Sequence, residues 1–280
     1  MAIEIAGRIG AEVVSVDSMM VYRGMDVGTA KPTLIERRGI PHHLIDVAEP
    51  DEEFTVAEFR RLGRKVIAGA ETPLVITGGS GLHFRALVDP MSFAPTDERL
   101  RADLENRPIT ELIGELTSRD PEAGDHVDLS NRRRVVRALE IFHLIGETPS
   151  QRAATAEAEK LRRYVPELAF VAVGVDPGEA LDDRIDRRLT EMRAGGLVEE
   201  VRRLRGRLGR TARSAVGYRD VLDHLEGRLT FEEAFASIAA NTRKLARRQR
   251  TWFQRDPRIT WIPWMESENE RVDRAMEVLS

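Results

Sequence analysis

The 280-residue chain contains no cysteine, which excludes disulfides, cysteine-ligated zinc or iron–sulfur clusters, and thiol catalysis. A reducing, cytoplasmic setting fits that absence. Long hydrophobic runs are missing too. The most apolar stretch, Leu168 to Val175, falls far short of the roughly 20 residues that a membrane span needs. Residues 1–9 (MAIEIAGRI) mix charges with apolar residues and lack the basic start, long apolar middle and small-residue cleavage site of a signal peptide. The expectation is a protein without membrane attachment that stays where it is made. The six histidines show no metal-ligand spacing, and no metal site is expected from them. Repeats and low-complexity segments are absent.

Lysine is also scarce: of 43 basic residues, 4 are lysine and 39 arginine. Against 47 acids this leaves a net charge of −4, with 32% of residues charged and 41% hydrophobic, the balance of a soluble globular protein. Genome composition is one source of the arginine excess. Its clustering points to another, because a planar, permanently charged fork suits phosphate and base recognition. Arg132, Arg133, Arg134 and Arg137 fall together, six arginines lie between Arg202 and Arg213, and six more with Lys244 lie between Arg243 and Arg258. An acidic chain with separate basic stretches is a candidate for nucleic-acid or polyphosphate binding.

At about 150 residues per domain, the length gives one or two domains. Four apolar runs read as strands: Ala11–Val16, His43–Val47, Pro73–Thr77 and Ala169–Val175. Each is continuous, which predicts strands buried on both faces of a parallel sheet. Helices are expected between them, notably Val56–Ala68 and Leu82–Val88, giving an α/β layered core. Residues 95–162 hold no strand and show helical periodicity over Asp97–Asn106, Ile109–Ser118 and Arg132–Ile145. The simplest account is an all-helical insertion between two strands of one sheet, dividing the chain into a core of 1–94 and 163–280 and an insertion of 95–162. Asp176-Pro177 reads as the cap and first turn of a helix to Ala194, Gly195-Gly196 as a break, and Leu197–Leu208 as its continuation. A last long helix starts at Thr230, with Glu233 completing a capping box, and runs to about Arg255. Trp252 and Phe253 on it read as packing anchors.

Asp17 follows the first strand directly, where parallel sheets open their ligand crevice. There a carboxylate serves as base or metal ligand, or caps the following turn. Gly78-Gly79-Ser80-Gly81 makes a second strand-to-helix turn, offering amides to an anion. Tyr22–Pro32, with two glycines, two cations and a proline, is too irregular for helix or strand and reads as an ordered functional loop. Arg184 and Arg188 share a helix face. They pair either with neighbouring acids or with a diphosphate leaving group.

With these residues in place, Val14–Pro32 (VSVDSMMVYRGMDVGTAKP) resembles the signature of tRNA dimethylallyltransferases. PHHLID at 41–46, ITGGSGL at 76–82, RRVVRALEI at 133–141, VGYRD at 216–220 and ARRQRTWFQRDPRITW at 246–261 agree in order. The resemblance implies transfer of a prenyl group from dimethylallyl diphosphate to N6 of the adenosine next to the tRNA anticodon. It also implies a P-loop-NTPase-like parallel sheet with helices on both faces, nucleotide (ATP) binding, Mg²⁺ on the diphosphate, and an insertion gripping the anticodon stem-loop of a monomeric enzyme's tRNA. Asp17 then matches the general base. Ser18, Met19 and Met20 continue a tRNA-contacting stretch. Ser80 stands at the reaction channel. Arg101, Arg133, Arg134, Val135, Val136 and Arg137 match tRNA-contacting positions, and Arg188, with Arg184, the diphosphate. An adenine amine is a poor nucleophile, so a carboxylate taking its proton would help, and the target base must leave the anticodon stack.

The family's phosphate-cradling G-x-x-x-x-G-K-[ST] loop does not occur in this sequence. Met1–Ala6 resembles the helix that follows it, so the first strand and the loop, about 15 to 20 residues, are expected to be missing. A start placed too far downstream accounts for this, and a genuinely shortened, catalytically inactive tRNA-binding protein is the alternative. A third reading is an adenylate prenyltransferase acting on a free nucleotide, against which the helical insertion speaks. Met20 where the family has Gln, Ser80 for Thr and His83 for Tyr are smaller departures. Met20 lacks the hydrogen bonds of Gln.

Overall fold

The structure is a computed structural model and describes residues 1–279. The chain divides into two compact units, Met1–Leu87 with Ala169–Ser280, and Val88–Leu168. The first begins with α1 (Ala2–Ile9), β1 (Glu12–Ser15), β2 (His42–His43), α2 (Val56–Ala68), β3 (Leu74–Thr77) and α3 (Gly81–Val88). The second holds α4 (Glu98–Asn106), α5 (Ile109–Arg119), α6 (Ala123–His126), α7 (Arg132–Ile145), α8 (Pro149–Ala153) and α9 (Ala156–Arg162). The first unit resumes with β4 (Ala172–Asp176), α10 (Ala180–Ala194), α11 (Leu197–Leu204), α12 (Arg210–Arg213), α13 (Tyr218–Leu225), α14 (Phe231–Phe253), β5 (Ile259–Pro263) and α15 (Glu268–Leu279).

Every strand pair is parallel, as the continuous apolar runs predict. The single sheet expected from sequence is instead two, ordered β2-β1-β3 and β4-β5. Side chains join them where hydrogen bonds do not: Val75 of β3 and Val173 and Val175 of β4 all pack against one apolar cluster of Ile5, Ile262 and Val272. Accordingly β1 is buried, while β3 and β4 are only half-buried. The second strand was expected over 43–47 but stops at His43, because Leu44 and Asp46 take left-handed backbone (φ 62° and 57°) that no ladder accommodates. Asp176 does not cap α10. It ends β4, its Oδ1 accepting from the Gly178 amide, and the helix starts one turn later. The capping box of Thr230 and Glu233 forms as the sequence predicts. Among the described residues no helix is long and apolar enough to cross a membrane.

The second unit is entirely helical. Leu104, Leu112, Leu116, Val135, Val136 and Leu139 form its core, each large side chain contributing about 1.5–3 kcal/mol by leaving water. Glu140 is fully buried among them and accepts from the Asp97 amide, Arg101 and Arg137. Burial works against its charged form, but Arg137, the Asp97 amide and Arg101 outweigh burial and hold its pKa below the ordinary 4.5. A carboxyl lowered in this way stabilises the fold above its unfolded pKa, and the contribution is lost as pH falls through the folded value. Glu140→Gln in the full chain is therefore expected to lose stability at neutral pH and to approach the wild type in acid, well below the ordinary carboxyl value of 4.5. Urea denaturation at both pH values checks this; an equal deficit at each would remove the charge from the account.

Candidate active site

Parallel pairing in the register Ser15↔Thr77 brings the tips of β1 and β3 to the same edge. The Val16 amide donates to Thr77 (2.7 Å) and the Ser80 amide to the Val16 carbonyl (3.2 Å). Gly78 makes this approach possible. Its φ is 153°, and a Cβ there would stand 2.6 Å from the Val16 oxygen. Asp17 and Ser80 thus emerge from adjacent strand tips. Asp17 Oδ1 accepts from the amides of Met19 (2.7 Å) and Met20 (3.2 Å), so one oxygen caps the turn. No described residue donates to Oδ2. Asp17 lines a cavity of about 220 Å³ whose walls include Val13, Met20, Pro32, His42 and Ile45. Met20 turns its thioether to the Ser15 hydroxyl (3.7 Å) and supplies apolar wall.

Two further groups feel the Asp17 charge. His83, in the first turn of α3, is 8% exposed with Nδ1 2.6 Å from Ser80 Oγ. Burial lowers its pKa to about 4, the charge of Asp17 opposing. Arg188 of α10 is exposed by surface area, its guanidinium donating to the Thr29 carbonyl (3.1 Å). Neighbouring protein lowers its pKa, while Asp17 works the other way. Arg184, expected beside it on the diphosphate, stacks on Trp264 at 4.1 Å, with Arg271 over the same ring system at 4.0 Å. Burial and the Arg271 charge lower its pKa.

The irregular loop Tyr22–Pro32 is ordered by two buried ionic groups. Glu200 of α11, 3% exposed, accepts from the consecutive amides of Asp26, Val27 and Gly28 (2.9, 2.8 and 3.1 Å) and from the Tyr218 hydroxyl (2.5 Å). Three amides converging on one carboxylate make an anion nest, here filled by the protein's own side chain. Lys31 donates to the Tyr22 carbonyl (2.9 Å) and to Asp26 and Asp46 (both 2.6 Å). This ties the loop to the strained segment that follows β2. Tyr218 belongs to the VGYRD motif, but nothing in the sequence ties it or Glu200 to this loop, since each lies far along the chain from the loop it holds.

The glycine turn differs from its expected use as an open anion cradle. A Cβ on Gly79 would meet Gln249 at 2.5 Å, and one on Gly81 would meet the Trp252 indole at 2.0 Å. Two side chains of α14 therefore cover the turn, and Trp252 is an anchor despite its 44% exposure.

The expected tRNA-contacting residues separate by burial. Ser18 and Met19 lie half-exposed in the turn after β1. Arg133 and Arg134 are exposed, Val135 and Val136 are core, and Arg101 and Arg137 are held by Glu140. Arg137 also donates to the Ala94 and Pro95 carbonyls, and Arg132 to those of Glu105 and Arg107. Of the later basic clusters, Arg243 pairs with Asp182 and Asp186, Arg250 with Asp176 and Arg258 with Asp256. Arg219, Lys244, Arg247 and Arg248 are different. They line a second cavity of about 520 Å³ with Ser214 and Asn241, and none of the four has an acid partner among the described residues. Buried Asp220 fixes its floor by accepting from Gly217, Ser237 and Asn241.

The family model described as IPP transferase matches residues 20–256. A tRNA dimethylallyltransferase of Bifidobacterium animalis subsp. lactis is 44% identical over 278 residues, spanning 96% of this chain and 78% of the relative. The solved tRNA isopentenylpyrophosphate transferase of Bacillus halodurans is 33% identical, covering 99% of this chain and 89% of its own, with a TM-score of 0.70. A eukaryotic dimethylallyltransferase solved acting on tRNA shares the fold at a TM-score of 0.77 and 23% identity, covering 96% of this chain and 73% of its own.

Proposed function

The chain belongs to the IPP transferase family, and on that footing we propose that it transfers a dimethylallyl group from dimethylallyl diphosphate to N6 of the adenosine beside the tRNA anticodon. One observation carries the assignment of roles: Asp17 has one oxygen tied into the turn and the other unpartnered at an apolar cavity, with its charge acting on Arg188. The amine attacks the allylic carbon, the carbon–oxygen bond breaks, and its electron pair leaves with the diphosphate. The amine becomes acidic as its lone pair is committed, and Asp17 Oδ2 takes the proton. In this reading Arg188 offsets the negative charge that accumulates on the diphosphate. Val13, Met20, Pro32 and Ile45 offer apolar wall to an extruded purine and a prenyl chain.

Mg²⁺, expected on the diphosphate, would be carried there largely by phosphate oxygens and water, with at most one or two protein carboxylates. The roles above are those of the protein's own groups.

Incubating the full chain with tRNA, AMP and labelled dimethylallyl diphosphate tests the reading. Label on tRNA is expected, label on AMP would redirect it to a free nucleotide, and binding without transfer would leave an RNA-binding protein. We assign the phosphate footprint on the first unit to Arg219, Lys244, Arg247 and Arg248. Affinity should fall steeply with salt, and Lys244→Ala with Arg248→Ala should flatten the log–log slope by about two through lost counterion release. An unaltered slope removes that cavity from the footprint.

A further inference from the structure

Ser80 precedes α3 and His83 sits in its first turn, where helical spacing brings residues three apart into contact. The imidazole is held on its other side by Phe59 of α2, edge to face with centroids 4.6 Å apart. Its Nδ1 meets Ser80 Oγ at 2.6 Å. Being neutral at working pH, it presents one accepting and one donating nitrogen. An imidazole nitrogen is a far stronger base than a hydroxyl oxygen, which sets the direction of the contact: Ser80 Oγ–H donates to Nδ1, and the ring proton sits on Nε2.

We propose that His83 is a positioning residue that consumes the Ser80 proton, so that Ser80 Oγ turns only lone pairs toward the crevice beside Asp17. The Ser80 amide on the Val16 carbonyl holds that oxygen at the tip of the strand next to Asp17. The site then offers two acceptors at neighbouring strand tips, Asp17 Oδ2 and Ser80 Oγ. That pairing fits the two N–H bonds of an exocyclic amine and repels the carbonyl of a 6-oxopurine. Ser80 would thereby hold the N–H that stays on nitrogen while Asp17 removes the other. This inference rests on the prenyl-transfer reading, and its test separates the two.

In the ¹⁵N-labelled full chain, imidazole NMR should show His83 as the Nε2–H tautomer with a titration midpoint near 4. An Nδ1–H tautomer overturns the proposal whether or not the chain transfers a prenyl group. In the transfer assay, His83→Phe should lower kcat about tenfold to a hundredfold, the scale of one displaced hydrogen bond at a desolvated site. RNA affinity and KM should stay near wild type. The double variant Ser80→Ala with His83→Phe should be no slower than Ser80→Ala alone. His83→Asn, whose amide oxygen takes the place of Nδ1 as acceptor, should recover most of the rate. Additive losses, or a loss carried wholly by KM, overturn the proposal. A wild-type chain that transfers nothing overturns the function reading, while the tautomer still decides the polarity of the hydroxyl.

Discussion

Asp17→Asn is expected to bind tRNA as the wild type does and to lose about a hundredfold to ten-thousandfold in kcat, the range for removing a general base. Asparagine is the informative replacement because its Oδ1 still accepts from the Met19 and Met20 amides, which keeps the turn. Its Nδ2 stands where Oδ2 was and takes no proton. Single-turnover transfer of labelled prenyl group, run beside filter binding of the same tRNA, separates chemistry from recognition. Unchanged turnover would remove Asp17 from the base role, and loss of binding at normal turnover would move it to recognition.

The largest stability effect is expected at Glu200. Glu200→Ala strips three consecutive part-buried amides and the buried Tyr218 hydroxyl of their shared acceptor. Each bond to a buried charge contributes about 1.5–3 kcal/mol, and backbone relaxation recovers part of it, so a loss of about 3–5 kcal/mol is expected. Tyr218→Phe removes one donor and should cost about 1 kcal/mol. Burial and the adjoining negative charge of Glu200 raise the pKa of this tyrosine, so it remains a donor at any working pH. Urea midpoints measure both variants. Similar losses in the two would show that Glu200 serves Tyr218 alone and that the 26–28 amides find other partners. Because the nest shapes the loop from which Thr29 receives Arg188, Glu200→Ala should also slow prenyl transfer beyond what the unfolded fraction explains.

Much of the site is legible in order along the chain. A β-branched run ending in Asp-Ser and another ending in Gly-Gly-Ser-Gly mark strand tips through local patterning, and the register Ser15↔Thr77 then places Asp17 and Ser80 together. The dual use of Asp17, capping and facing a cavity, needed coordinates, since its two oxygens have one address in sequence. The glycine turn misleads for a related reason. Glycine advertises room for close approach but not what approaches, and Gln249 and Trp252 arrive from a helix about 170 residues later.

The arginines show the same limit. Clustering says that cations are near one another, yet Glu140 takes Arg101 and Arg137 inward while Arg219, Lys244, Arg247 and Arg248 keep their charges for a cavity. Sequence alone determined the parallel α/β character, the helical stretch between β3 and β4, and the carboxylate at the first strand tip. These depend on periodicity and on interactions a few residues long. Tertiary structure alone decided that the strands split into two sheets, that Glu200 fills the loop's nest, and that His83 is buried against Phe59. Burial and long-range pairing set those outcomes, and both depend on which distant segments exclude water from one another.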